Sequence, residues 1–168
     1  LIAAAYLAKN AISKKLETEN IDALVLAAAG VKRLNLDHRI TEYLDATVML
    51  PAIGQGALCV EIRKDDPIVG PMVVTMEHAH TRAIVNGERA FLKRLEGGCQ
   101  VPIAGHATLD GEALTIHGLV GEPDGSKIIR ASRSGPTSEA ISLGTAVADE
   151  LLANGADAIL KKLYAADE

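Results

Sequence analysis

Tryptophan is absent from this chain, and the other aromatics are scarce: one phenylalanine and three tyrosines among 168 residues. A folded core must therefore be built from Leu, Ile, Val and Ala, without an aromatic cluster at its centre. Only two cysteines occur, Cys59 and Cys99, in unlike surroundings. No disulfide framework is expected, and a reducing compartment is the simpler setting. An excess of basic charge is also missing. The formal net charge of −5 argues against a general nucleic-acid partner, while leaving room for a small Arg and Lys cluster facing an anionic ligand. No apolar run approaches the ~18 residues of a membrane span. The apolar residues 1–7 lack the preceding basic residues and the cleavage site of a signal peptide. A cytoplasmic protein with no membrane partner is expected. The first residue is Leu, not Met, which suggests a fragment.

What is present is ample apolar material. Hydrophobic residues make up 48% and charged residues 23%, enough for a packed core and too little charge for a disordered chain. Residues 1–18 are Ala-rich and free of Gly and Pro, which predicts a helix. Residues 21–28 (IDALVLAA) form a continuous apolar run, as in a strand buried on both faces of a parallel sheet. A helical turn carrying Lys32 and Arg33 follows, then a short helix over 37–44. Residues 47–50 and 57–63 read as strands, separated by a bend at Gly54-Gln55-Gly56.

Beyond the break at Asp65-Asp66-Pro67 the pattern changes. Residues 77–96 have helical spacing, ended by Gly97-Gly98. Residues 101–109, 114–120 and 127–132 alternate with period two, and Asp110-Gly111 and Asp124-Gly125 between them are hairpin signals. Residues 138–154 form an amphipathic helix with Gly155 as its C-terminal cap, and a last helix covers about 156–164. The second half is therefore self-contained: a three-stranded antiparallel sheet packed by helices. The first half holds one buried parallel-type strand without neighbours, so it reads as the end of an α/β domain. The expected division is residues 1–50, a hinge and return segment over 51–76, and a third domain over 77–168.

Several constellations carry chemistry. In Gly97-Gly98-Cys99, two glycines leave the backbone beside a thiol unshielded, so a bulky group on the sulfur would meet no side chain from either. The plainer reading is a helix cap followed by a small packed thiol. Lys32-Arg33 sits after the apolar run, where ligands bind in α/β sheets, and the planar fork of Arg suits carboxylates; taken by itself, a solvated helical turn is the slightly favoured reading. Gly54-Gln55-Gly56 lacks the third glycine and the preceding strand of a dinucleotide fingerprint, and reads as a bend. His78 and His80 are two residues apart and would not share a helix face, so no metal site is expected. His106 and His117 are placed to face each other across the first hairpin. No Walker loop, Gly-x-Ser-x-Gly or paired-carboxylate spacing occurs.

Four ordered stretches resemble the porphobilinogen deaminase (hydroxymethylbilane synthase) family. They are DALVLAAAGVKRL at 22–34, LPAIGQGA at 50–57, ERAF at 88–91 with LEGGCQVPI at 95–103, and GLVGEPDGS at 118–126. The resemblance covers about residues 13–168. It implies a three-domain enzyme with a periplasmic-binding-protein-like α/β part, here represented by the end of its second domain and its whole third domain. It also implies a transferase of tetrapyrrole and heme biosynthesis, a monomer, that condenses four porphobilinogen molecules into hydroxymethylbilane with release of ammonia. On that resemblance Cys99 matches the cysteine bound through a thioether to the dipyrromethane cofactor, and Gly97 and Gly98 flank it. Arg33 matches a cleft arginine, Lys32 stands beside it, and Gln55 lies in a segment near the cleft. The growing chain gathers acetate and propionate groups, which such a basic cleft would hold. The family's catalytic aspartate has no match here; neither Asp37 nor Asp45 is its equivalent. The implied consequence is an inactive isolated chain. Two other readings stay open: a stand-alone binding or structural module derived from the enzyme, and a periplasmic-type solute binder, which would leave Gly-Gly-Cys unexplained.

Overall fold

The computed structural model describes residues 18, 19, 21–96 and 101–165. The expected helix over 1–18 therefore lies almost wholly outside the described residues. The chain divides into two units, Leu1–Leu44 and Asp45–Glu168.

In the first unit, the described residues form helix α1 (Ala28–Arg33) and a 3-10 turn, Asp37–Arg39. The apolar run at 21–27 is not a strand. Val25 and Leu26 are exposed. A parallel strand exists only as part of a ladder, and the described residues of this unit supply no second strand. The expected helix over 37–44 is reduced to its 3-10 turn, with 40–44 irregular.

The second unit opens with two further departures. Residues 47–50 do not form a strand, because the Asp45 carboxylate accepts from the Thr47 N–H (2.8 Å) and hydroxyl (2.7 Å), and the Asp45 carbonyl accepts from the N–H groups of Val48 and Met49. That local turn competes with any extended pairing. Residues 57–63 are also unpaired, and Leu58 is 88% exposed. Helix α2 (Val69–Val74) follows, with the Asp66 carboxylate accepting from the N–H groups of Ile68 and Val69 at its start.

The remaining chain is the self-contained unit the periodicity predicts. Helix α3 (Ala79–Arg94) leads to β1 (Ile103–Asp110), β2 (Ala113–Gly121) and β3 (Ile128–Pro136), then helix α4 (Ala140–Leu151) and helix α5 (Asp157–Tyr164). The strands form an antiparallel meander, β1-β2-β3. Asp110 pairs with Ala113, so the first hairpin turns over Gly111 and Glu112, and His106 faces His117 as expected. β3 runs to Pro136, beyond the expected end at 132, because its ladder with β2 continues to Ala113. Gly155 (φ 99°) breaks the helical path between α4 and α5, as its expected capping role requires.

The core lies between the sheet and the helices. Phe91 of α3 and Leu95, which closes that helix, cluster with Leu114, Ile116 and Val120 from β2 and Val147 and Leu151 from α4. The single phenylalanine lies over the cross-strand pair Gly105 and Gly118. A Cβ on Gly118 would stand 2.5 Å from its ring, so both glycines are needed to seat it. Gly87 and Gly144 let α3 and α4 approach until a Cβ on Gly144 would collide with the Gly87 carbonyl.

Candidate functional site

Helix α3 carries the chain toward the cysteine motif, and its sequence explains how. His78 is its N-cap, and the His78 imidazole accepts from the Thr81 N–H. Ile84, Gly87, Glu88, Phe91 and Leu95 then recur at helical spacing along its inner face. The helix closes at Leu95. Glu96, not a glycine, takes the left-handed position that follows (φ 54°). Gly97, Gly98 and Cys99 lie outside the described residues. The chain is described again at Val101, which packs on the core, and Pro102, whose carbonyl accepts from the Gly121 N–H at 3.1 Å. The cysteine-bearing stretch thus joins the end of α3 to the end of the sheet where β1 begins and β2 finishes.

Glu88 is the one charged side chain among the buried residues described, 4% exposed. Its two carboxylate oxygens accept separately from the Gly54 N–H (2.7 Å) and the Ala107 N–H (2.8 Å). His106 Nδ1 stands 3.7 Å from it. Through Glu88, α3 grips both β1 and the Gly54-Gln55-Gly56 bend. The same bend is held twice more: the Pro51 carbonyl accepts from the Gly105 N–H (3.2 Å), and Ile53 packs over Gly105. Gly54 (φ 70°) and Gly56 (φ 85°) supply the left-handed turn. Gln55 is exposed at its tip. The anchor was missed in the sequence reading, although a Glu four residues after Ile84 and three before Phe91 falls on an apolar face.

In the other unit, Lys32 and Arg33 form the exposed last turn of α1. Lys32 Nζ lies 4.9 Å from the centre of the Tyr43 ring, a cation–π contact that orients its stem. Among the described residues neither side chain is in an ion pair, so both remain open to carboxylates. At the start of the second unit, Asp45 is engaged by Thr47, whose N–H and hydroxyl, in that order, hold its carboxyl below the ordinary aspartate value. Cys59 is a free, exposed thiol. Among the described residues no group of three or more His, Cys, Asp or Glu forms a metal site, and no helix is long and apolar enough to cross a membrane.

The second unit is an α+β module, a meander covered by helices, whose buried carboxylate ties a glycine bend to the helix leading into a Gly-Gly-Cys stretch. Residues 83–153 match the family model described as the C-terminal domain of porphobilinogen deaminase, and residues 11–70 match its "dipyromethane cofactor binding domain". The porphobilinogen deaminase of Pelobacter propionicus is 48% identical over 151 residues, 90% of this chain and 49% of the relative. Those of Trichlorobacter lovleyi and Syntrophotalea carbinolica are each 49% identical, over 151 and 150 residues, covering 90% and 89% of this chain and 48% of either relative. The chain belongs to the porphobilinogen deaminase family. It spans about half the length of the curated relatives it matches.

Proposed function

We propose that this chain is the cofactor-anchoring part of a hydroxymethylbilane synthase, the transferase that joins four porphobilinogen molecules head to tail and releases ammonia at each condensation. The observation that carries this reading is the placement of Gly97-Gly98-Cys99 inside the matched C-terminal domain, directly after α3. Cys99 is the proposed thioether attachment point of dipyrromethane. Bound there, that group supplies the pyrrole terminus on which the product is built. A thioether suits the role because it survives elongation, so the anchor stays with the protein after the product leaves.

The chemistry of several residues supports this reading. Gly97 and Gly98 add no side chains beside the sulfur. Lys32 and Arg33 are exposed, cationic and unpaired among the described residues, and a guanidinium binds a carboxylate through two parallel hydrogen bonds. Their proposed task is to hold the acetate and propionate groups of the substrate and growing chain. Gln55, on a bend fixed by Glu88, Pro51 and Ile53, is proposed as a further polar contact. No acid in this chain is assigned the catalytic role, and Asp45 already serves its own turn. The proposed division therefore keeps residues 1–50, 51–76 and 77–168 as end of a second domain, return segment and third domain, with the charge-stabilising aspartate supplied from the relatives' other half.

This reading predicts no ammonia release from porphobilinogen by the purified 168-residue chain. Release is expected when the chain is co-produced with the remaining half of a relative. Turnover by the isolated chain would refute the division of labour.

A further inference from the structure

The sheet face opposite Phe91 presents a polar row. His106 lies across from His117, and His117 across from Ser132. Thr108 and Arg130 share that face, one two residues further along β1 and the other two residues back along β3. A cavity of about 670 Å³ opens against these side chains, a volume in the range of small-molecule sites and well above that of a bare ion. Ala46 and Leu50, from the turn after Asp45, add apolar surface to its lining.

Two acids also line the cavity, and each is engaged. Asp45 Oδ1 accepts both bonds from Thr47. Glu150 Oε2 accepts from Arg133 Nε at 3.0 Å and lies 2.8 Å from a terminal guanidinium nitrogen of the same residue. The donors are free by contrast. Among the described residues, the side chains of Thr108, His117, Arg130 and Ser132 make no hydrogen bond or ion pair. Thr115 and Ser134, the next hydroxyls on this face, bond each other at 2.8 Å. His106 turns Nδ1 toward Glu88 at 3.7 Å, which leaves Nε2 for another partner. The unused capacity of the cavity is therefore to donate, and it includes one fixed positive charge.

We infer that this cavity binds a phosphate monoester. The fork of Arg130 suits two phosphate oxygens in parallel, and the His106, His117 and Ser132 row supplies donors for the remaining one. A phosphate monoester carries three strong acceptor oxygens and nearly two negative charges at neutral pH, which matches donors arriving from three strands better than a carboxylate does. Its organic group has Ala46 and Leu50 to lie on. The site shares no residue with the proposed attachment of dipyrromethane, so the two readings fail separately.

The test titrates the full chain with phenyl phosphate at neutral pH, at an ionic strength held constant with chloride, and follows the imidazole nitrogens by NMR. The expected result is a saturable shift of His106 and His117 together, with His38 and His78 unmoved. Arg130 is exposed and makes no ion pair among the described residues, so Arg130→Gln leaves the fold intact. It should weaken binding by about tenfold or more, the loss that one charge-assisted hydrogen bond produces. Lys93→Gln, an exposed cation on α3 away from the cavity, should leave binding unchanged. A shift that does not saturate, or an affinity that survives Arg130→Gln, overturns the site. Equal affinity for benzoate or for inorganic phosphate overturns the ligand class, since the tetrahedral group or the organic group would then contribute nothing.

Discussion

Glu88 shows how one side chain can set the geometry of three segments. A carboxylate at 4% exposure is costly unless its lone pairs are used, and here each oxygen takes a separate backbone N–H. Glu88→Gln keeps one acceptor and replaces the other with an amide N–H₂, which would point at an N–H donor. One buried donor is then unsatisfied, so urea unfolding is expected to show a loss of about 1–3 kcal/mol; an unchanged midpoint would refute the bridging role. The inward position of Glu88 was legible from the spacing of Ile84 and Phe91. Its partners were not, because Gly54 and Ala107 lie 34 and 19 residues away, and periodicity carries no information at that range.

Among elements, what could be read followed from whether the partner was local. The β1-β2-β3 meander is written in period-two alternation and Asp-Gly turns, and each strand finds its neighbour across a short loop. Residues 57–63 carry a similar apolar pattern and remain unpaired. The exposed edge of β1 is closed to them: its Gly105 N–H is taken by the Pro51 carbonyl and its Ala107 N–H by Glu88. Three turns bounding these elements are held by aspartates. The Thr47 N–H and then its hydroxyl lower the pKa of Asp45, the N–H groups of Val69 and then Ile68 that of Asp66, and the Ser126 hydroxyl and then its N–H that of Asp124. A carboxyl whose folded pKa is depressed stabilises the fold above its unfolded pKa, and that contribution is lost as pH falls through the folded value. Carboxyl NMR titration should therefore give midpoints for these three below the ordinary aspartate value, with the turns loosening only on the acid side of it. Midpoints at or above that value would contradict the hydrogen bonding described.

At the scale of the whole molecule, the second unit holds its own core, and the chain corresponds to about half of each relative. The cysteine motif was visible in sequence only as a thiol behind two glycines. Its local physics favours a capped helix followed by a packed thiol, and the ordered family stretches turn it into a proposed anchor. The structure contributes the frame on either side of that motif: α3 and Glu96 before it, with the Glu96 carbonyl held by the Tyr164 hydroxyl of α5, and Pro102 and the β1–β2 end after it. The most direct measurement is the intact mass of the chain after co-production with the other half of a relative in cells that make porphobilinogen. The account predicts a mass above that of the sequence by two porphobilinogen-derived pyrrole units, located on the Cys99 peptide and absent in Cys99→Ala. A mass equal to the sequence, or the same addition persisting in Cys99→Ala, would contradict it.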